Sequence, residues 1–205
     1  MADTEPVAKA GKHDWDEEYR TGAHWDTQEP SSNMARFVEL IRGRKDVLDA
    51  GCGSGRDAIF LAKQGLTVTG VDMSQAGIDL AKQRSKNISN LKFEIASIEN
   101  LPFPDASFDA AYSGYTLSGP TLPQEAAELA RVLKPNGILY VSMFTRTAYE
   151  TPNVRDENNP EKFVLETFGK HFKIKDKAAD SYAEEDDQGK HEHETLKLVL
   201  VKKSE

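Results

Sequence analysis

The residues best suited to chemistry are two carboxylates and the glycines between them. Asp49 follows the apolar pair Val47-Leu48, and Gly51, Gly53 and Gly55 come at every second position before a helical pattern starts at Arg56. Glycine has no Cβ, so the chain can turn sharply there and a ligand can approach the main chain. Asp72, seventeen residues after Gly55, ends a second apolar run that starts at Leu66. A carboxylate at the tip of a neighbouring strand can accept hydrogen bonds from both hydroxyls of a ribose. The order acid, glycine loop, acid therefore describes a crevice for a nucleoside-bearing ligand. The dinucleotide fingerprint needs G-x-G-x-x-G, and Arg56 stands where its third glycine would fall; no Gly-Lys-Ser/Thr follows for a Walker loop. Cys52, the single cysteine, lies inside the loop. It reads as a small buried residue rather than a nucleophile, and one cysteine excludes an internal disulfide and a multi-cysteine zinc site.

The elements that must position these residues are legible as alternating strands and helices. Met34, Phe37, Val38 and Ile41 recur at helical spacing, with Ser31, Ser32 or Asn33 as candidate caps after Pro30. One strand ends near Asp49; Ala58, Leu61 and Ala62 form the apolar face of the next helix, which stops before Gly65. A second strand ends at Asp72, with Ser74 as cap of the helix beyond it. Leu91, Phe93 and Ile95 alternate as a third strand, and Phe108–Ser113 is a fourth. Ala126, Leu129, Ala130 and Leu133 are helical; Lys134-Pro135-Asn136-Gly137 is expected to turn the chain into a buried fifth strand, Ile138–Phe144. Glu161–Gly169 reads as a helix. Phe172–Lys175 and Thr195–Lys202 read as a closing antiparallel pair, with Glu184–Gly189 as an acidic loop between them. This alternation predicts an α/β protein with a mostly parallel sheet and helices on both faces.

Composition agrees with one soluble domain. The chain has 205 residues, 38% hydrophobic and 29% charged, with a net charge of −8. Residues 1–12 are polar and read as a disordered tail, leaving 13–205 as a single domain. The negative charge disfavours a nucleic-acid backbone as partner. No membrane span and no signal-peptide core are visible, so a cytoplasmic location is expected.

Together these motifs resemble the class I S-adenosylmethionine (SAM)-dependent methyltransferases. Ile95–Asp109 is similar to the family's adenine-side loop and following strand, and Leu129–Leu139 to its late helix–turn–strand motif. The resemblance implies a Rossmann-like seven-stranded sheet of order 3-2-1-4-5-7-6 with strand 7 antiparallel. It implies SAM as cofactor, S-adenosylhomocysteine (SAH) as product and a small-molecule methyl acceptor. Cofactor contacts are expected at Asp49, Ala50, Gly51, Cys52, Gly53, Gly55 and Arg56, at Asp72 for the ribose, at Met73, Ser97, Ile98 and Glu99 around the adenine, and at Ser113. Members often have Asp where this chain has Ser97, so the adenine amino contact falls to a shorter, neutral side chain or to backbone near Ile98 and Glu99. Gly55-Arg56-Asp57-Ala58 and the aromatic segment Trp15–Gly22 with Trp25-Asp26 resemble the thiopurine/tellurite-resistance branch. In that branch the segment before the first helix folds over the cleft. Residues 13–30 are therefore expected to form a lid, an aromatic staple on the domain surface, or both.

For the acceptor, Trp25, Tyr115 and Arg146 are the candidate contacts, and no general base stands out in the sequence. There is no Asp/Asn-Pro-Pro-Tyr/Phe tetrapeptide after the fourth strand and no Pro-Cys pair. His191 and His193 alternate onto one face, but without a third ligand they read as a solvated edge strand, and no metal site is expected. Glu184–Asp187 reads as a solvated charge run, and Arg155 as a surface ion-pair residue. Two rival functions stay open: a nicotinamide-dependent oxidoreductase, and a non-catalytic SAM-binding module. Monomer and homodimer are equally compatible with the sequence.

Overall fold

The computed structural model describes residues 14–22, 26–117, 119–146, 159–186 and 189–204. Of Arg146, of 182–186 and of 189–192 only the backbone is described. The expected tail, Trp25, Arg155 and the side chains of Arg146 and His191 lie outside the described residues.

The order of elements is α1 (Trp15–Thr21), α2 (Met34–Leu40), β1 (Asp46–Ala50), α3 (Arg56–Lys63), β2 (Thr67–Asp72), α4 (Gln75–Arg84), β3 (Leu91–Ile95), β4 (Phe108–Gly114), α5 (Leu122–Val132), β5 (Leu133–Arg146), α6 (Pro160–Gly169), β6 (Phe172–Asp186) and β7 (Gly189–Lys202). The strands form one sheet in the order β3-β2-β1-β4-β5-β7-β6. β7 runs antiparallel to both neighbours, and the other pairings are parallel. This is the expected Rossmann-like order. Val47 to Ala50 of β1 are all buried, because helices cover both faces of the sheet. On one face α2, α3 and α4 contribute Phe37, Leu61 and Ile78; on the other α5 and α6 contribute Leu129 and Phe168. Strand order reverses beside β1, between β2 and β4, and a crevice opens there at the carboxyl ends of the strands.

Three local expectations are corrected. Asn33 stands at the N-cap of α2 but makes no side-chain capping bond: it donates to Ser142 Oγ (3.0 Å), while Ser31 N–H donates to Asp57 (2.7 Å) and its hydroxyl pairs with that of Tyr112 (2.8 Å). These polar side chains tie α2 to α3 and the sheet instead. The Lys134–Gly137 turn lies within β5 as an irregularity, with Asn136 at φ 60°, where pairing jumps from Phe108↔Leu133 to Ala110↔Ile138. The closing hairpin is much longer than expected: β6 and β7 pair from Phe172↔Lys202 to Asp186↔Gly189, so Glu184–Asp186 belong to a strand. Its outer strand is rich in exposed charge, including Lys173, Lys175 and Lys177, which discourages edge pairing.

Candidate active site

The glycine loop leaves β1 and enters α3 with Gly51, Gly53 and Gly55 at φ 79°, 51° and 85°. L-residues with a Cβ rarely adopt that region. Space is short as well: a Cβ on Gly51 would run into Thr116, and one on Gly53 into the Tyr19 hydroxyl. Gly51 and Cys52 N–H groups both donate to Val71 O at 2.8 and 2.9 Å, clamping the loop to the end of β2. Asp72 tightens the clamp. One carboxylate oxygen accepts from Gly53 N–H and the other from Ser74 N–H, both at 2.8 Å. Ser74 in turn caps α4 through Gly77 N–H, as expected.

The loop borders a cleft of about 720 Å³, a volume suited to one nucleoside-sized ligand and an acceptor. Of the thirteen cofactor candidates, ten line it: Asp49, Gly51, Cys52, Gly53, Arg56, Asp72, Met73, Ser97, Ile98 and Glu99. Ala50 and Ser113 do not; both are fully buried, and Ser113 Oγ donates to Ala50 O, bracing β4 against β1. Gly55 packs instead toward Phe93 and Ala81. Met73 is 49% exposed, an apolar surface at the place expected for an adenine face. Ser97 Oγ accepts from Glu99 N–H at 3.2 Å, so its hydroxyl already serves the local turn.

The electrostatics are dominated by acids. Asp49 is buried, and among the described residues its Oδ2 has no hydrogen-bond partner. Burial, then the charges of Asp57 and Asp72, push its pKa well above the usual carboxylate range, against a hydrogen bond from Ala58 N–H. Burial also raises Asp57 and Asp72. The Arg56 guanidinium acts favourably on Asp49 and Asp57. Cys52 has its thiol pushed well up by burial and by Asp49 and Asp72, which makes it inert as a nucleophile. The site thus holds an unsatisfied buried carboxylate beneath a glycine cradle, a pairing suited to a ligand with a positive charge.

Residues of the N-terminal segment border this half of the cleft. Trp15 and Tyr19 of α1 line it, and no residue of α1 is buried, so the helix lies at the cleft and outside the core. Asp16 accepts from Ser74 Oγ (2.6 Å) and Ala76 N–H (3.0 Å) at the start of α4. Asp26 accepts from both Arg84 nitrogens at 2.8 Å near the end of α4.

The other half of the cleft lies over β4, β5 and β7. Tyr115 is there as expected, at φ 57°, held by its N–H to Ser142 O (2.6 Å). Its ring lies 4.8 Å from Phe144, which lies 5.3 Å from His193. His193 corrects the edge-strand expectation: β7 is an inner strand, and the histidine is 6% exposed and lines the cleft. Sequence reasoning also passed over Phe144 and Glu125 as lining residues. Alternation in β5 and β7 was the available signal for Phe144 and His193, but it does not say which strand ends face the crevice.

Residues 47–137 match the model of a methyltransferase domain. The matched stretch holds β1 to β4, the glycine loop and Asp72. Among curated proteins, the chain is 34% identical over 124 residues to the demethylmenaquinone methyltransferase of Tropheryma whipplei, covering 60% of this chain and 49% of that protein. It is 40% identical over 100 residues to the 2-methyl-6-phytyl-1,4-hydroquinone methyltransferase of Synechocystis, covering 47% and 31%. The aligned parts span half or less of these two relatives. A solved structure from Pyrococcus horikoshii superposes with a TM-score of 0.70 at 20% identity over 91% of this chain and 99% of that one, a likeness of fold.

Proposed function

We propose that the protein transfers a methyl group from SAM to a small-molecule acceptor. The observation that carries this reading is the buried, unpartnered Asp49 Oδ2 beneath the glycine cradle. A carboxylate in that setting seeks a cation, and the α-ammonium of SAM supplies one. Arg56 is suited to the carboxylate of the same amino-acid portion, Asp72 to the ribose hydroxyls, and Met73 and Ile98 to the faces of the adenine. When bound, SAM supplies a methyl group already activated by its sulfonium. The residues need only align the acceptor with it and exclude water. Tyr115 walls the acceptor side, and α1 with its acidic contacts to α4 acts as the lid. That lid is what favours the thiopurine/tellurite-resistance branch, whereas the two curated relatives above are named for quinone-type acceptors. A small-molecule acceptor fits a cleft this narrow, and a single cysteine fits a cytoplasmic setting.

Three acids around the loop weigh against the oxidoreductase reading, because a dinucleotide would place its pyrophosphate there and be repelled. A non-catalytic module would not need an open chamber beyond the cofactor half. The test is methyl transfer from labelled SAM to a panel of small phenols, thiols and amines, with NADH oxidation as control. Label in at least one acceptor and no NADH turnover is expected; NADH turnover without label would overturn the reading.

A further inference from the structure

We infer that the acceptor is a planar aromatic molecule bearing a hydroxyl, and that His193 takes the proton from that hydroxyl as the methyl arrives. This rests on the methyltransferase reading above and adds the acceptor class and the proton acceptor. The geometry is that of the chamber over β4, β5 and β7. With the adenosine half of the cleft assigned to the ends of β1, β2 and β3, the transferred group must face the remaining half. Tyr115, Phe144 and His193 form a continuous row of rings there, with centroids 4.8 and 5.3 Å apart. Aromatic side chains in offset or tilted contact leave faces and edges suited to a further flat ring. Tyr115 sits in a left-handed backbone conformation, a strain retained where its ring borders the cleft.

An aromatic hydroxyl is largely un-ionised near neutral pH, and a neutral oxygen is a poor nucleophile. A base within reach of its proton removes that obstacle. His193 ends the aromatic row, lines the cleft and is nearly buried, so its imidazole can meet the hydroxyl of a ring held by Phe144 and Tyr115. In the step, the O–H bond breaks and its proton passes to an imidazole nitrogen of His193. The oxygen bonds to the methyl carbon while the carbon–sulfur bond breaks and its electron pair stays on sulfur. An aryl methyl ether, neutral SAH and an imidazolium result, and the imidazolium returns its proton to water.

The experiment uses the full chain with 2-naphthol and 2-naphthalenethiol, two acceptors of one shape. The thiol ionises far more readily and needs no base. His193→Gln should slow methylation of the naphthol by about 100-fold or more while leaving the thiol within about threefold of wild type. Fluorescence titration of 2-naphthol into the SAH complex reads binding without turnover. Phe144→Ala should weaken that affinity about tenfold, and His193→Gln should weaken it by clearly less than it slows methylation of the naphthol. Should His193→Gln lower the melting temperature markedly, His193→Phe, which keeps a ring in the row, is read in its place. Equal losses for both acceptors, or no loss for either, would overturn the role of His193. Failure of 2-naphthol to bind an SAH-loaded wild type would overturn the acceptor class. Absence of SAH binding would instead bring down the methyltransferase reading, and this inference with it.

Discussion

At the scale of single residues, the proposed function rests on Asp49, whose buried Oδ2 has no hydrogen-bond partner among the described residues. Its raised pKa means that the free protein holds a proton there further up the pH scale than an ordinary carboxylate would. A bound ammonium favours the ionised form, so binding expels that proton wherever the free protein carries it. SAH affinity should therefore rise with pH through the Asp49 titration and level off above it. Calorimetry in buffers of different ionisation heat should detect proton release below that pH, and Asp49→Asn should abolish the release and weaken binding by roughly 10- to 100-fold, as expected for losing one charge-assisted hydrogen bond. Proton uptake on binding would contradict the assignment. The positions of Asp49, Asp72 and the glycines were legible in the sequence because they are local: a strand end, a positive φ and a turn. That Ser113 and Ala50 stand outside the cleft lining was not legible, because adjacency to the loop does not say whether a side chain faces the cleft or the core. His193 was missed for the converse reason, since its place on an inner strand beside Phe144 is not visible in sequence spacing.

Among the helices described, α1 is the one with no buried residue. Its polar ties to the domain include Asp16 at the start of α4, and the Asp26–Arg84 pair lies nearby. Burial works against the Asp26 charge, but hydrogen bonds from Arg84 and Ser54 outweigh it and hold its pKa below the usual range. Arg84→Gln should loosen the segment without unfolding the domain. Amide exchange in residues 15–22 should speed up about tenfold or more, for a lost charge-assisted bond, while the melting temperature falls by only a few degrees. Bound SAH should slow the same amides in the wild type. Exchange in α1 that ignores both changes would mean that the helix is fixed by other contacts. The sequence pointed to this segment through its aromatic residues, yet the latches are acidic and distant in the chain. The long β6–β7 hairpin was likewise hidden, because polar alternation on an outer strand looks like a loop.

For the whole molecule, the end of the sheet opposite the cleft carries its own electrostatic tie. Asp109 on β4 accepts from the N–H groups of Lys45 and Asp46 and from Lys134 Nζ on β5, at 2.8–3.0 Å. Burial alone would raise its pKa, but the Asp46 N–H, Lys134 and the Lys45 N–H together hold it at about 2. A depressed folded pKa stabilises above the unfolded value of about 4, and that contribution fades as pH falls from there toward about 2. Asp109→Asn should lower the melting temperature at neutral pH and flatten its decline on acidification; an unchanged acid limb would contradict this. Sheet order and helix layers were readable because βα alternation and the family resemblance constrain them strongly, whereas the acceptor half depends on which strand ends converge. The central claim is a cationic, SAM-type cofactor held between Asp49, the glycine loop and Asp72. Titration calorimetry with SAH tests it most directly. The account predicts a dissociation constant in the micromolar range, about −8 kcal/mol, for the wild type. It predicts a loss of at least roughly tenfold in a folded Asp72→Ala variant and no binding of NADH. Absence of SAH binding to the wild type, or unchanged SAH affinity in Asp72→Ala, would contradict it.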